Sequence, residues 1–165
     1  MILDEEVFAV LLAIVVIGSV LGAVLYLRSG FTGESFVALG LLNEKCKIGD
    51  YPSKVFENTN VTFCIYVYNH MNKPVYYRVV YKIGSNTTLP TNTTPSPNEV
   101  VMSWRGVLGN DENHTFTVNI PVYIPRNLSE DRLAMIFELW IYDTDRGEWR
   151  YTGIWNHHYV QVIKG

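Results

Sequence analysis

Cysteine is scarce in this 165-residue chain: there are two, Cys46 and Cys64. A lone pair with no histidine at ligand spacing excludes a zinc ribbon or finger. Histidine is limited to four residues, and His157 and His158 are neighbours that a strand sends to opposite faces, so no shared metal site is expected. No Lys or Arg precedes Arg28, and the basic residues that follow form neither a stripe nor a cluster. That argues against a nucleic-acid partner and against a polybasic grip on anionic lipid. Neither a G-x-G-x-x-G turn nor a Walker loop occurs, and no G-x-S-x-G elbow presents a serine. No catalytic residue, metal or cofactor is therefore expected.

One long apolar run is present. Val7 to Leu27, VFAVLLAIVVIGSVLGAVLYL, holds 21 residues without a charge. As a helix it reaches ~31 Å, close to the hydrocarbon thickness of a bilayer. A cleaved signal peptide is the competing reading. Its apolar core is shorter, follows a basic segment and ends at small residues. Here Asp4, Glu5 and Glu6 precede the run and Tyr26-Leu27-Arg28 follows, so a retained anchor is favoured. The expected organisation is a short segment at 1–6, a transmembrane helix at 7–28, a tether at 29–33 and one β-domain at 34–165. The bilayer is the partner of residues 7–28. Gly18 and Gly22 form a G-x-x-x-G pair that lets a second helix approach closely, or simply low-volume surface facing lipid.

Two signals disagree about the side on which the domain lies. Arg28, Lys45 and Lys47 after the helix favour the cytoplasm, but that rule is weak for long translocated domains. Five N-x-S/T sequons, at Asn60, Asn86, Asn92, Asn113 and Asn127, favour the exterior. The Asn and Ser/Thr content gives roughly 1.6 such triplets by chance. An even cysteine count points the same way, because a Cys46–Cys64 disulfide persists only in an oxidising compartment. The alternative is two unrelated small apolar residues. A single-pass protein of the cell membrane with its C-terminal domain outside is the favoured topology.

Beyond the helix the chain alternates with period two, as half-buried strands do. Val37, Leu39 and Leu41 share one face. Phe63, Ile65 and Val67 oppose Cys64, Tyr66 and Tyr68, which puts Cys64 on the outer side within reach of a loop residue such as Cys46. Val75, Tyr77, Val79, Tyr81 and Ile83 alternate with Arg78 and Lys82. Asn69–Pro74 reads as the turn between these two runs. Val100, Met102 and Trp104 form the next inward set. Phe116, Val118, Ile120, Val122 and Ile124 give the cleanest pattern, with Pro121 marking an edge strand. Leu133, Met135, Phe137, Leu139 and Ile141 alternate with Glu138, and a final pair of runs covers Trp149 to Ile163. Between them Ser85–Asn98, SNTTLPTNTTPSPN, reads as a mobile surface loop. Seven or eight strands with no soluble helix predict an all-β domain, an immunoglobulin-like antiparallel sandwich behind one transmembrane helix.

The acids Asp143, Asp145 and Glu148 lack the ligand spacing of a calcium loop and fit a hairpin turn. Trp140, Tyr142, Trp149 and Trp155 are either sandwich core or an exposed docking surface.

The helix leading into Phe36–Leu42, followed by KIGDYPSKVFENTNVTFCIYVYNHMNKPVYYRV, resembles a family of archaeal membrane proteins known as domain of unknown function 1616. Gly49-Asp50-Tyr51-Pro52, Asn69-His70 as a hairpin and the V-Y-Y-R-V run carry the likeness, with weaker matches in FTVNIPVYIP and LAMIFELWIY. The resemblance implies an extracellular immunoglobulin-like domain after a hydrophobic helix, and no assigned activity. The longer members have several helices before this domain, and the cysteine pair and the Asp143–Trp149 excursion depart from them. The favoured function is a glycosylated, non-enzymatic envelope protein that binds or supports another membrane or envelope protein. The alternatives are an accessory subunit of a larger membrane complex and a pilin-like filament subunit. The opening MILDEE lacks a pilin's basic leader and processed glycine. A surface metalloenzyme built on the histidines ranks last.

Overall fold

Val7–Leu27 has no charge, no proline and no polar face, so its backbone bonds close within the segment as a helix. The computed structural model describes residues 5–30, 34–126, 128 and 132–164, and helix α1 covers Glu5–Gly30. Every side chain from Val7 to Leu27 is exposed. The Ser19 hydroxyl donates to the Val16 carbonyl at 2.8 Å, which satisfies that polar side chain within the helix. The chain divides into this N-terminal unit, Met1–Ser35, and a second unit, Phe36–Gly165.

The second unit is an immunoglobulin-like β-sandwich of eight strands. They are β1 (Phe36–Leu42), β2 (Lys54–Phe56), β3 (Thr59–His70), β4 (Val75–Gly84), β5 (Val100–Leu108), β6 (Asn113–Val122), β7 (Arg132–Asp143) and β8 (Glu148–Ile163). One sheet has the order β1-β3-β6, and the other β2-β8-β7-β4-β5. All pairs are antiparallel except β2 with β8, where the chain has crossed from the first sheet to run beside the last strand. The expected inward sets meet in one core: Phe63, Ile65 and Val67 from one sheet face Tyr77, Tyr81, Phe137 and Leu139 from the other. Phe63 meets Phe137 edge-on at 5.9 Å, a geometry that aromatic quadrupoles favour.

Polar tips stitch the sheets together. Tyr81 donates to the Pro121 carbonyl at 3.0 Å, and Asn156 donates to the Leu39 carbonyl at 2.7 Å. Burial drives the Tyr81 phenol far above its ordinary pKa, so it stays protonated and keeps the hydrogen that it donates. Asn69, fully buried at the end of β3, holds two turns at once. Its amide nitrogen donates to the carbonyls of Lys73, Leu108 and Gly109 at 2.9, 3.1 and 2.9 Å, and its oxygen accepts the Met71 N–H at 3.0 Å.

Several details differ from the sequence reading. Asn69–Pro74 is not a hairpin: β3 and β4 lie in different sheets, and the turn crosses between them. Val100 is exposed, because a register shift between Tyr81 and Lys82 turns Val101 toward the core in its place. The last two runs are one strand, β8, interrupted at Gly153. Ser85–Asn98 is an ordered cover, not a mobile loop: it contains a short 3₁₀ turn at Asn86–Thr88 and buries Ser85, Pro90 and Ser96. Pro121 does sit on an edge strand, since β6 pairs with β3 alone.

Candidate binding face

The outward side of the five-stranded sheet carries the most unusual chemistry of the domain. Alternation along β4 and β7 sends Tyr76, Arg78, Val80 and Lys82, and then Ile136, Glu138, Trp140 and Tyr142, away from the core. Half of this face is closed by the 85–98 segment. Beneath it Lys82 and Glu138, both buried, form an ion pair at 3.0 Å. Glu138 also accepts the Ser96 N–H at 2.6 Å and the Trp140 indole N–H at 3.1 Å, while Lys82 donates to the Ser96 carbonyl at 2.7 Å. Every charge there has partners, which is the condition for a buried pair to persist. Tyr151 donates to the Thr91 carbonyl and Tyr159 to the Asn86 side chain, at 2.9 and 2.8 Å, which pins the outer rim of the cover. Burial, with the Glu138 charge second, pushes the Tyr151 phenol up to about 12.

Gly153 makes the close approach possible. Its φ is +79°, and a Cβ there would stand 2.2 Å from the Asn92 carbonyl oxygen. Only glycine meets both conditions without displacing the cover.

The other half of the face is open. Arg78 and Arg105 are direct partners across β4 and β5. The Arg78 guanidinium stands 4.9 Å from the Trp149 ring centre and 5.5 Å from that of Trp140, and Arg105 stands 5.5 Å from Trp149. Among the described residues neither arginine makes an ion pair or a side-chain hydrogen bond, and the Arg78 Nε is buried without a partner. Burial first, then the Arg105 charge, holds the Arg78 guanidinium below its ordinary pKa. Tyr76 meets Trp149 at 4.9 Å and Tyr142 at 6.1 Å. Trp140, Tyr142, Trp149 and Trp155 lie outside the core cluster and are half-buried on the outer face, so the core alternative does not hold for them. Sequence reasoning missed the arginines, because an alternating charged residue reads as ordinary solvated surface.

The other candidate residues are dispersed. Cys46 and Cys64 are bridged. Cys64 is fully buried on β3, and Cys46 is exposed in a loop organised by Asn43, whose side-chain oxygen accepts the N–H groups of Lys45 and Lys47. Asn60, Asn86, Asn92 and Asn113 are all exposed; Asn127 lies outside the described residues. Gly18 and Gly22 have open space around them. His157 points outward between Trp155 and Tyr159, whereas His158 faces inward and bonds the Pro52 carbonyl. His70 contacts Asp111, and His114 bonds Tyr77 at 2.7 Å. The Asp143–Glu148 segment is a hairpin turn. Among the described residues no three His, Cys, Asp or Glu side chains converge as a metal site would require.

No protein-family profile matches the chain, and no curated protein does. Solved structures are similar at low identity. A CARDB domain from Pyrococcus furiosus, described in complex with di-metal ions, is 14% identical over 79% of this chain and 90% of its own, with a TM-score of 0.48. The sporulation control protein Spo0M from Bacillus subtilis is 12% identical over 76% of this chain and 49% of its own, at 0.44. A β-glucosidase from Listeria innocua is 10% identical over 79% of this chain, at 0.45, but this chain spans 16% of it. At these levels the likeness is one of sandwich architecture alone.

Proposed function

We propose that this chain is a single-pass membrane protein whose sandwich stands outside the cell as a non-enzymatic binding or structural module. The observation that carries the reading is the Val7–Leu27 helix: 21 residues long, apolar on all sides and exposed throughout among the described residues. Exposing that surface to water is strongly unfavourable, and a bilayer removes the penalty. The Cys46–Cys64 bridge and four exposed sequons support the exterior side. Placement with the archaeal domain of unknown function 1616 family is part of the same proposal and rests on the residues quoted for it above. An accessory subunit of a larger complex is the second reading, favoured by the unobstructed Gly18/Gly22 face.

The test is made on native membranes. The chain should stay in the pellet after alkaline carbonate, and its domain should be cut by protease added to intact cells. Mass spectrometry should find the sequon asparagines modified. Release by carbonate would remove the anchor, and protection from external protease would reverse the topology. A stoichiometric partner in mild detergent would favour the subunit reading.

A further inference from the structure

We propose that the open half of the outer sheet face binds an acidic polysaccharide, its sugar carboxylates held by Arg78 and Arg105 and its rings lying against Tyr76 and the neighbouring aromatics. This names the partner class for the binding module proposed above and rests on that reading.

The argument begins with charge. Arg78 and Arg105 stand directly opposite each other on one face of a strand pair. Like charges in that position destabilise an isolated sheet. Salt bridges elsewhere in the described domain do not reach them: Glu138 is engaged by Lys82, and Asp143 lies beside Arg146. Two forked guanidiniums whose terminal N–H groups have no acceptor among the described residues match planar oxyanions presented in pairs or in a row; the Arg78 Nε is enclosed and takes no part. A carboxylate bridging the two relieves their repulsion and occupies the accessible terminal donors of both.

The surroundings select the rest of the ligand. A small anion needs no aromatic field, yet Tyr76, Trp140, Tyr142 and Trp149 cluster beside the arginines on one sheet face. Tyr76 is 38% exposed, which leaves ring surface for the C–H face of a pyranose. Rings that present an apolar body and a polar tip suit a partner that is wet on one side. With the other half closed by residues 85–98, this half is covered by no described segment of the second unit, and a repeating polymer can cross it from the β5 edge.

The experiment uses the full chain in a neutral, sugar-free detergent. Its affinity for polygalacturonate is measured by affinity electrophoresis, with dextran as the neutral control. Polygalacturonate should retard the chain and dextran should not. R105Q, at an exposed position, should weaken binding at least fivefold, and R105K should restore part of it. R78Q should act in the same direction, with circular dichroism confirming its fold. Unchanged retardation of R105Q would overturn the proposal, as would equal binding to dextran. Poly-glutamate binding as tightly, with the same arginine dependence, would also overturn it and assign the face to an acidic peptide. Protease protection of the domain in cells alongside specific polygalacturonate binding would fault the topology and leave this site standing.

Discussion

Lys82 and Glu138 meet at 3.0 Å on the outward face of a sheet, yet both are buried, because a segment rich in Thr, Asn and Pro folds over them. The pair and its cover depend on each other: Ser96 supplies both a backbone donor to Glu138 and a carbonyl acceptor to Lys82. Replacing Glu138 with Leu alone should cost about 3–5 kcal/mol by stranding a buried ammonium. The double variant K82M/E138L should recover most of that loss. Urea denaturation of the full chain in detergent measures both, and equal losses in the single and double variants would show that the pair is not coupled.

Gly153→Ala should loosen the cover at Asn92, and with it the Ser96 contacts to the Lys82–Glu138 pair. The left-handed backbone and the close Asn92 carbonyl both oppose a Cβ, so a loss of about 1–3 kcal/mol is expected. Limited proteolysis should then cut within 85–98 before any other site. Resistance equal to that of the parent chain would contradict this account.

Asn69→Leu should be among the most damaging single substitutions. It strands three carbonyls and one N–H across two inter-sheet turns, and about 3 kcal/mol is expected from unsatisfied buried groups. A midpoint shift in urea equivalent to less than 1 kcal/mol would show that water satisfies these groups instead.

Reducing the Cys46–Cys64 bridge should lower stability by ~3 kcal/mol, mainly by releasing the unfolded chain. Comparing denaturation with and without reductant, and with C46S/C64S, separates loop entropy from any effect of the reductant itself.

Acid should weaken the domain in two steps. Burial, then the neighbouring His158 charge, holds His157 below 6.5, so the unfolded chain takes up that proton first. The stability associated with His157 is complete above pH 6.5 and is lost as pH falls toward its lower folded value. Asp111, held below 3.8 chiefly by its hydrogen bond to His70, keeps its contribution above that value and loses it as pH falls further. H157Q should flatten the first step and leave the second. Two unchanged steps in H157Q would assign the first to another group.

Much of the sandwich was legible because burial imposes a period of two on a strand. The inward sets of β4, β6 and β7 follow directly from alternation, and Pro121 marks its edge because it lacks a ladder donor. Sheet membership was not legible. A turn such as Asn69–Pro74 has the same local chemistry whether it joins two strands of one sheet or crosses to the other. The pairings on the outer face were hidden for a related reason. Arg78 meets Arg105, and Lys82 meets Glu138, only through strand pairing between distant segments, and a charge in an alternating pattern looks solvated until something is found above it.

The covalent tie between Cys46 and Cys64 also sets how the domain responds to tension. A pull arriving along the chain from the N-terminal side loads β1 first, and β1 is an edge strand that pairs only with β3. Peeling it away frees about ten residues, roughly 35 Å of contour. There the force reaches the bridge and passes into β3, the middle strand of its sheet. The bond thus takes the segment between the two cysteines out of the load path and delivers the pull to the middle of a sheet instead of its edge.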